Sequence, residues 1–274
     1  MNATWHAIAR EAALGAEHLA SGATILGKAN YAHHAHYEEA FFALTTGIER
    51  SAKLAFVIDH ALSNAGDFPT NNQLRAYGHN LASLLDQADA IAERLGLTGD
   101  SRMPRTKIHE GIITVLTDFA NNITRYYNLD LITGDLRTVQ RDDPTKAWFR
   151  LVVAPVLELH RSKLHGQRHH RNAKMISDLI QDFTSVQHFS EQGDVLDTVY
   201  SASLQTGTME FAKPYVRMYV MQIARFLGSL LSKLGYGAHE AKLDTIPDLS
   251  DFFAIFHNRD KYFFQRKTWS IYRP

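Results

Sequence analysis

Apolar residues recur along the first half of the chain at intervals of three and four positions. This spacing runs through residues 41–62, returns over residues 74–95 and appears a third time over residues 108–126. Residues at these intervals share one side of an α-helix, where they form an apolar stripe roughly 100° wide that packs on neighbouring helices. An alanine-rich segment over residues 4–28 is expected to join the same group. The sequence therefore predicts an all-α protein built on an up-down helical bundle.

Residues that end helices stand between these segments. Asn64, Gly66 and Pro69 follow the first segment and are predicted to end it. Gly96 comes directly after the last apolar position of the second segment and is typical of a C-terminal cap. The third segment has no such residue before Tyr126, so we expect one helix that continues to that point.

The helical pattern breaks over residues 130–146, and we place a subdomain boundary there. Asp143 and Pro144 then form a pair that commonly opens a helix, an N-cap followed by proline in the first turn. The helix that follows is expected to kink at Pro155. Its predicted buried side chains are those of Trp148, Leu151, Val152 and Leu159.

The second half is less regular. Helices are predicted over residues 172–189 and 212–235, while residues 190–211 fit either a short helix or an irregular loop. The final residues, 257–274, mix basic and aromatic side chains. Such a tail can stack on single-stranded nucleic acid or dock its aromatic residues on the core, and we favour docking.

These segments divide the chain into three parts. Residues 1–30 form an N-terminal helix, residues 31–140 the bundle, and residues 141–274 a C-terminal helical subdomain that ends in the basic aromatic tail.

Composition narrows the chemistry. The chain has no cysteine, which excludes disulfides, thiolate metal sites and cysteine nucleophiles. Lys and Arg together equal Asp and Glu at 29 each, so no global charge favours a nucleic acid.

The first residues lack the apolar run of a secretion signal. The most apolar long stretch, residues 215–234, contains three basic residues that are costly in lipid. We therefore expect a cytoplasmic protein with no membrane association.

Two stretches of the bundle carry a recognisable arrangement of polar residues. The first predicted helix holds Glu49, Arg50 and Lys53 in its interior, and the next segment contains the element Gly78, His79, Asn80 and Leu81. With the ending RYYNLD of the third segment, residues 31–133 resemble the HEPN superfamily of bacterial helical-bundle proteins. The resemblance implies a homodimer and a place in a bacterial stress or antiphage defence system.

Many HEPN proteins are metal-independent ribonucleases, and others act as binding modules. The ribonuclease signature is an arginine followed, after four to six residues, by a histidine, because histidine exchanges protons near neutral pH and arginine holds phosphate. Here Asp130 stands where histidine would follow Arg125. The spacing Arg102 to His109 is permitted, but Pro104 places that pair at a loop. We therefore predict a non-catalytic protein.

The alternative is a ribonuclease that uses Arg125 with a histidine from elsewhere in the fold. Its candidate catalytic residues are Arg125, Asp130 and His79, with His169 as a further histidine. For each of them a structural role is also expected: a salt bridge for Arg125, and a hydrogen bond from His79 to a backbone carbonyl. Arg50 and Lys53 are likewise expected to pair with Glu49 or other acids.

Basic residues are concentrated between residues 159 and 177, where no acid occurs. Such a segment suits the phosphate backbone of RNA or an acidic protein partner, although many charged runs are simply solvated helix faces. The candidate nucleic-acid-binding residues are Arg161, Lys163, Arg168, His169, Arg171 and Lys174.

No metal or cofactor is expected. Fifteen histidines include the pair His165 and His169, four residues apart, but no glutamate of a metalloprotease motif lies between them, and the Glu-x-x-His of di-iron bundles is missing from the sequence. The sequence also lacks glycine-rich phosphate loops and serine nucleophile elbows.

Overall fold

The computed structural model describes residues 2–121, 123–134 and 142–270. It is 73% helical, which confirms the predicted all-α fold. The only strands in the described ranges form one short hairpin of β1 (His188–Phe189) and β2 (Val195–Leu196), which pair antiparallel with His188 opposite Leu196.

The helices are α1 (Ala3–Leu26), α2 (Ala35–Ser63), α3 (Asn71–Ala76), α4 (Leu81–Arg94), α5 (Lys107–Ala120), α6 (Tyr127–Thr133), α7 (Pro144–Trp148), α8 (Ala154–His160), α9 (Lys163–Ile180), α10 (Val199–Glu240), α11 (Ser250–Phe253) and α12 (Asp260–Gln265). A π-helical turn (Phe149–Val153) joins α7 to α8, and short 3₁₀ turns cover Gly99–Ser101, Gln181–Phe183 and Ala254–Phe256.

Small residues bring α1 and α2 into close contact. A β-carbon on Gly22 would lie 2.6 Å from Cγ of Leu44, and one on Gly47 would lie 2.8 Å from the backbone nitrogen of Leu19. Side chains larger than hydrogen at these positions would push the two helices apart. The alanine-rich first helix therefore packs on the bundle, as expected.

One continuous hydrophobic core contains residues from both sides of the predicted subdomain boundary. Residues 135–141 of that predicted boundary lie outside the described residues. The ring of Phe41 in α2 lies 5.7 Å from that of Phe119 in α5 and 5.0 Å from that of Trp148 in α7. Helix α10 extends 42 residues, about 60 Å at 1.5 Å per residue, and its middle is buried in this core.

Two of the predicted bundle helices are shorter than expected. The segment over residues 74–95 is split into α3 and α4, because Gly78 has a φ of +67° and Asn80 caps a new helix by accepting a hydrogen bond from the Ser83 backbone N–H at 2.9 Å. The third segment ends at Ala120 instead of residue 126, and α6 begins at Tyr127.

The predicted caps at Gly96 and Asp143 are confirmed. Gly96 has a φ of +73°, and the N–H groups of Gly96 and Leu97 donate to the carbonyls of Glu93 and Ala92, closing α4. The Asp143 carboxylate accepts hydrogen bonds from the first N–H groups of α7 at 2.8 and 3.0 Å.

The distortion expected at Pro155 takes the form of the π-helical turn just before it, in which the N–H of Ala154 donates to the carbonyl of Phe149. Trp148 and Val152 are buried as predicted, whereas Leu151 is only partly buried. The expectation for Leu159 was wrong: its side chain is 66% exposed, because it lies at the end of α8 on the side away from the core.

Further along the chain, helix boundaries differ from the prediction. Helix α9 begins at Lys163, nine residues earlier than expected, because Ser162 caps it by accepting a hydrogen bond from the His165 backbone N–H. It ends at Ile180, and residues 188–189 are strand. The ambiguous residues 190–211 contain the hairpin turn and then the first part of α10, which Thr198 caps.

The C-terminal residues dock on the core, as predicted. Phe263 is fully buried and Trp269 nearly so, and the backbone N–H of Trp269 donates to Oγ1 of Thr24 at 2.8 Å. Among the residues that the structure describes, no helix has both the length and the apolar character needed to cross a membrane.

Candidate nucleic-acid interface

Helix α9 contacts the rest of the molecule along one side only, through two small side chains and several histidine rings. Ala173 and Ser177 are its only buried residues, and His169 faces α10 close to Gly207, whose β-carbon would lie 3.6 Å from Cγ of His169. Most of the circumference of α9 is therefore exposed to solvent.

The basic residues predicted to bind nucleic acid lie on this exposed helix or just before it. Arg161 is in the turn between α8 and α9, and Lys163, Arg168, Arg171 and Lys174 are exposed on α9. Lys174 forms an ion pair with Asp178 at 3.5 Å. Within the described ranges the other four cations have no acidic partner.

His169 differs from its basic neighbours. It lies on the inner side of α9 with its ring 6.1 Å from that of Phe211. Burial lowers the pKa of His169, and the nearby positive charge of Arg161 lowers it further. At neutral pH His169 therefore supplies a packing contact and no charge.

Apolar side chains share the outer side of α9 with the cations. Leu164, Arg168, Arg171, Met175 and Leu179 follow one another at intervals of four, three, four and four residues, so they lie on one side of the helix. The exposed fractions are 72% for Leu164, 60% for Met175 and 69% for Leu179. A helix packed in the core has the same spacing of apolar residues. Periodicity alone therefore does not show that this side of α9 is exposed.

A cavity of about 810 Å³ opens beside Arg161, and we call it the hairpin cavity. The turn of the β-hairpin forms its lip. Glu191 fixes this turn: its buried carboxyl group accepts hydrogen bonds from the hydroxyl of Tyr37 at 3.2 Å and from the side-chain amide of Gln205. Burial and the nearby carboxyl group raise the pKa of Tyr37 well above its usual value. No motif in the sequence pointed to Glu191.

The polar residues of α2 and of the segment before α4 that contribute to the HEPN resemblance lie close together. Glu49 bonds to Nζ of Lys53 and to Nδ1 of His79, both at 2.9 Å, and Arg50 bonds to Glu11 at 2.7 Å. The expected pairing of Lys53 with Glu49 is confirmed. The expected bond from His79 to a backbone carbonyl is wrong, because a carboxylate takes that place.

These ion pairs border a trough of about 600 Å³ between α1, α2 and α3. Its other walls are mainly apolar, with Ile8, Leu54 and Phe68 among them. Each cation beside the trough is neutralised by a carboxylate, so the trough has no unbalanced charge with which to attract an anion.

Arg125 lies in the turn after α5. Its guanidinium carbon is 5.3 Å from the ring centroids of both Phe42 and Phe119, so cation–π contacts hold it. The salt bridge expected for Arg125 is not found with any residue that the structure describes.

The structure keeps Arg125 and His79 apart. Arg125 contacts α2 at Phe42, whereas His79 contacts it at Glu49, seven residues or about 10 Å further along the helix. Asp130 belongs to α6. The second arginine–histidine pair is also divided, because Arg102 bonds to Asp89 at 2.8 Å while His109 is buried against α10.

No group of three metal-ligating side chains occurs in the described part of the chain. The fold and these surfaces define an all-α protein with one exposed helix that is both basic and apolar. Comparison of the chain with protein-family models, curated proteins and solved structures gave no match.

Proposed function

We propose that this protein is a non-catalytic RNA-binding protein whose contact surface is the basic segment of Arg161, Lys163, Arg168 and Arg171. The observation that supports the proposal is that these four cations cluster on and beside one exposed helix without acidic partners in the described ranges. When unpaired cations bind a phosphate backbone they release its counterions, and this release increases the affinity.

The alternative interpretation of the basic segment is a solvated helix face that binds no ligand. Against it stands the local concentration of charge, because the chain as a whole is neutral whereas residues 159–177 contain five arginines and lysines and no acid. By contrast, six arginines elsewhere in the described ranges form ion pairs: Arg50, Arg94, Arg102, Arg105, Arg150 and Arg225. Several unpaired cations within one short, acid-free segment present a local positive potential on an otherwise neutral protein.

A HEPN-like origin would place this binding in a bacterial stress or phage-defence system, and it remains part of the proposal. Asp130 at the position of the signature histidine supports the non-catalytic version, since a carboxylate would repel the phosphodiester. The separation of Arg125 from His79 supports it as well.

Charge reversal tests the proposal. The variant with Arg161, Lys163, Arg168 and Arg171 changed to glutamate should lose most of its affinity for RNA at low salt. The matched control reverses four exposed cations on other elements: Lys28, Arg75, Lys107 and Lys261. We expect the control to bind nearly as the unmodified protein does. Equal affinity in the two variants, measured by fluorescence anisotropy, would contradict the proposal.

A second function is favoured by a separate observation, the apolar half of α9. Met175 and Leu179 are exposed, and Phe183 in the following 3₁₀ turn is 89% exposed. Such a patch fits a protein partner, and the homodimer expected from the HEPN resemblance would fill it with a second copy. Light scattering should then show a dimer that Met175→Glu and Leu179→Glu convert to monomer. A monomer at high micromolar concentration of the unmodified protein would contradict this candidate.

A further inference from the structure

The hairpin cavity and the proposed RNA surface share a residue. Arg161 lines the cavity and is also the first cation of the basic segment. A phosphate bound by Arg161 therefore has its own nucleoside at the mouth of the cavity. At about 810 Å³ the cavity lies within the usual range for small-molecule sites, about 300–1,000 Å³.

The inner walls of the cavity are apolar and aromatic. Phe149 from the π-helical turn, Leu157 from α8 and Leu204 from α10 form them, with Tyr200 at the side. The Tyr200 hydroxyl is hydrogen-bonded to Nδ1 of His170 at 2.7 Å, which fixes the orientation of the tyrosine ring. Aromatic rings held in this way are the surfaces on which unpaired bases stack.

Two carboxylates also line the cavity. Glu158 comes from α8 and Asp194 from the hairpin turn, and both residues are exposed. In the described ranges neither has a cation within ion-pairing distance, so both are free to accept hydrogen bonds. A carboxylate accepts from an exocyclic amino group, as it does from N4 of cytosine, and repels a carbonyl oxygen.

We propose that the hairpin cavity takes one unpaired, amino-bearing base of the RNA that the basic segment holds. The inference rests on the proposed function. It adds that the ligand is single-stranded, because bases in an A-form duplex are not available for insertion. It also adds a preference for cytosine over uracil, which has a carbonyl where cytosine has its amino group.

Binding of short labelled oligo(C), oligo(U) and an RNA duplex tests the inference. The unmodified protein should bind oligo(C) about 10-fold more tightly than oligo(U). Tyr200→Ala should weaken oligo(C) binding by about 10-fold, while Tyr200→Phe, which keeps the ring but loses the bond to His170, should weaken it less. The double variant Glu158→Gln, Asp194→Asn should lose the preference for cytosine.

Filling the cavity gives an independent measurement. Leu204→Trp should abolish the preference for single strands without changing the salt dependence of binding, because the phosphate contacts remain. Val57→Trp, which fills the trough between α1, α2 and α3 instead, is the matched control and should change neither. Thermal unfolding of each variant shows whether it is folded.

The outcomes separate this inference from the proposed function. If the protein binds RNA with a salt dependence that charge reversal reduces, but the cavity variants keep the same preferences as the unmodified protein, the inference is wrong and the proposed function stands. If the unmodified protein binds none of the three RNAs, both are wrong.

Discussion

His109 has its ring nitrogens in fixed roles. Its Nδ1 accepts hydrogen bonds from the backbone N–H and the hydroxyl of Thr106, so Nε2 carries the proton and donates to the side-chain oxygen of Gln222 at 2.8 Å. Nδ1 completes the cap at the start of α5. The ring is only 2% exposed, and this burial lowers the pKa of His109 to about 4.

This low pKa makes folding stability depend on pH. In the unfolded chain His109 takes up a proton near pH 6.5, whereas in the folded protein it does so near pH 4. Its contribution is therefore complete above pH 6.5 and is lost as the pH falls towards 4, by about 3 kcal/mol. His109→Gln keeps a capping side chain that cannot be protonated.

Urea unfolding at pH 7 and pH 4 measures this effect. We expect the loss of stability between the two pH values to be smaller in His109→Gln than in the unmodified protein. His6→Gln, at an exposed position, is the control and should behave as the unmodified protein does. An identical loss in His109→Gln would show that His109 does not couple protonation to folding.

Gly111 tests the packing between the two halves of the core. A β-carbon at this position would lie 2.3 Å from the carbonyl oxygen of Leu151, and a backbone atom cannot easily move away. Gly111→Ala should therefore lower the free energy of unfolding by about 1–3 kcal/mol. Gly166→Ala in α9 meets open space and should raise it by up to about 1 kcal/mol. Equal stabilities of the two variants in urea would contradict the described packing.

Arg125 bears on the catalytic alternative. Proton transfer by a positioned histidine typically contributes about 100- to 10,000-fold to a rate, and no histidine contact of Arg125 is found in the described ranges. We expect chelator-treated protein to leave mixed RNAs intact. Robust cleavage that disappears in Arg125→Ala and in one histidine variant would establish the ribonuclease instead.

The sequence predicted helices most accurately where one side of the helix is buried in the core. Helices α2 and α5 have one side against the core, and the apolar spacing found them. Helix α9 has small residues and histidines on its inner side and large apolar residues outside, so a pattern that assumes apolar residues face inward placed its start nine residues late. The division between α3 and α4 depends on the positive φ of Gly78. The apolar spacing continues across this position, so the sequence predicted one helix.

The candidate site could likewise be predicted from the sequence only in part. The basic residues on α9 could be found from the sequence, because an acid-free run is visible without any fold. The hairpin cavity could not, since Phe149, Asp194 and Leu204 meet only through tertiary packing. Nor could the burial of Glu191, which depends on Tyr37 more than 150 positions earlier in the chain.

The molecule combines a single core with a long helix, α9, of which only two side chains are buried. Helices α2, α5 and α10 and the docked C-terminal residues are all part of the core, whereas α9 contacts it through α10. Because so few of its side chains are buried, substitutions on its outer side should alter binding with little effect on stability. The proposed function can therefore be tested by charge reversal in a folded protein.

The salt dependence of RNA binding tests the central claim most directly. If four cations each neutralise one phosphate of a single strand, the logarithm of the association constant should fall with the logarithm of salt concentration with a slope of about −3. Reversing Arg161, Lys163, Arg168 and Arg171 should remove most of that slope, and the control reversal of Lys28, Arg75, Lys107 and Lys261 should leave it intact. A slope that stays the same after reversal of the α9 cations would show that α9 does not bind RNA.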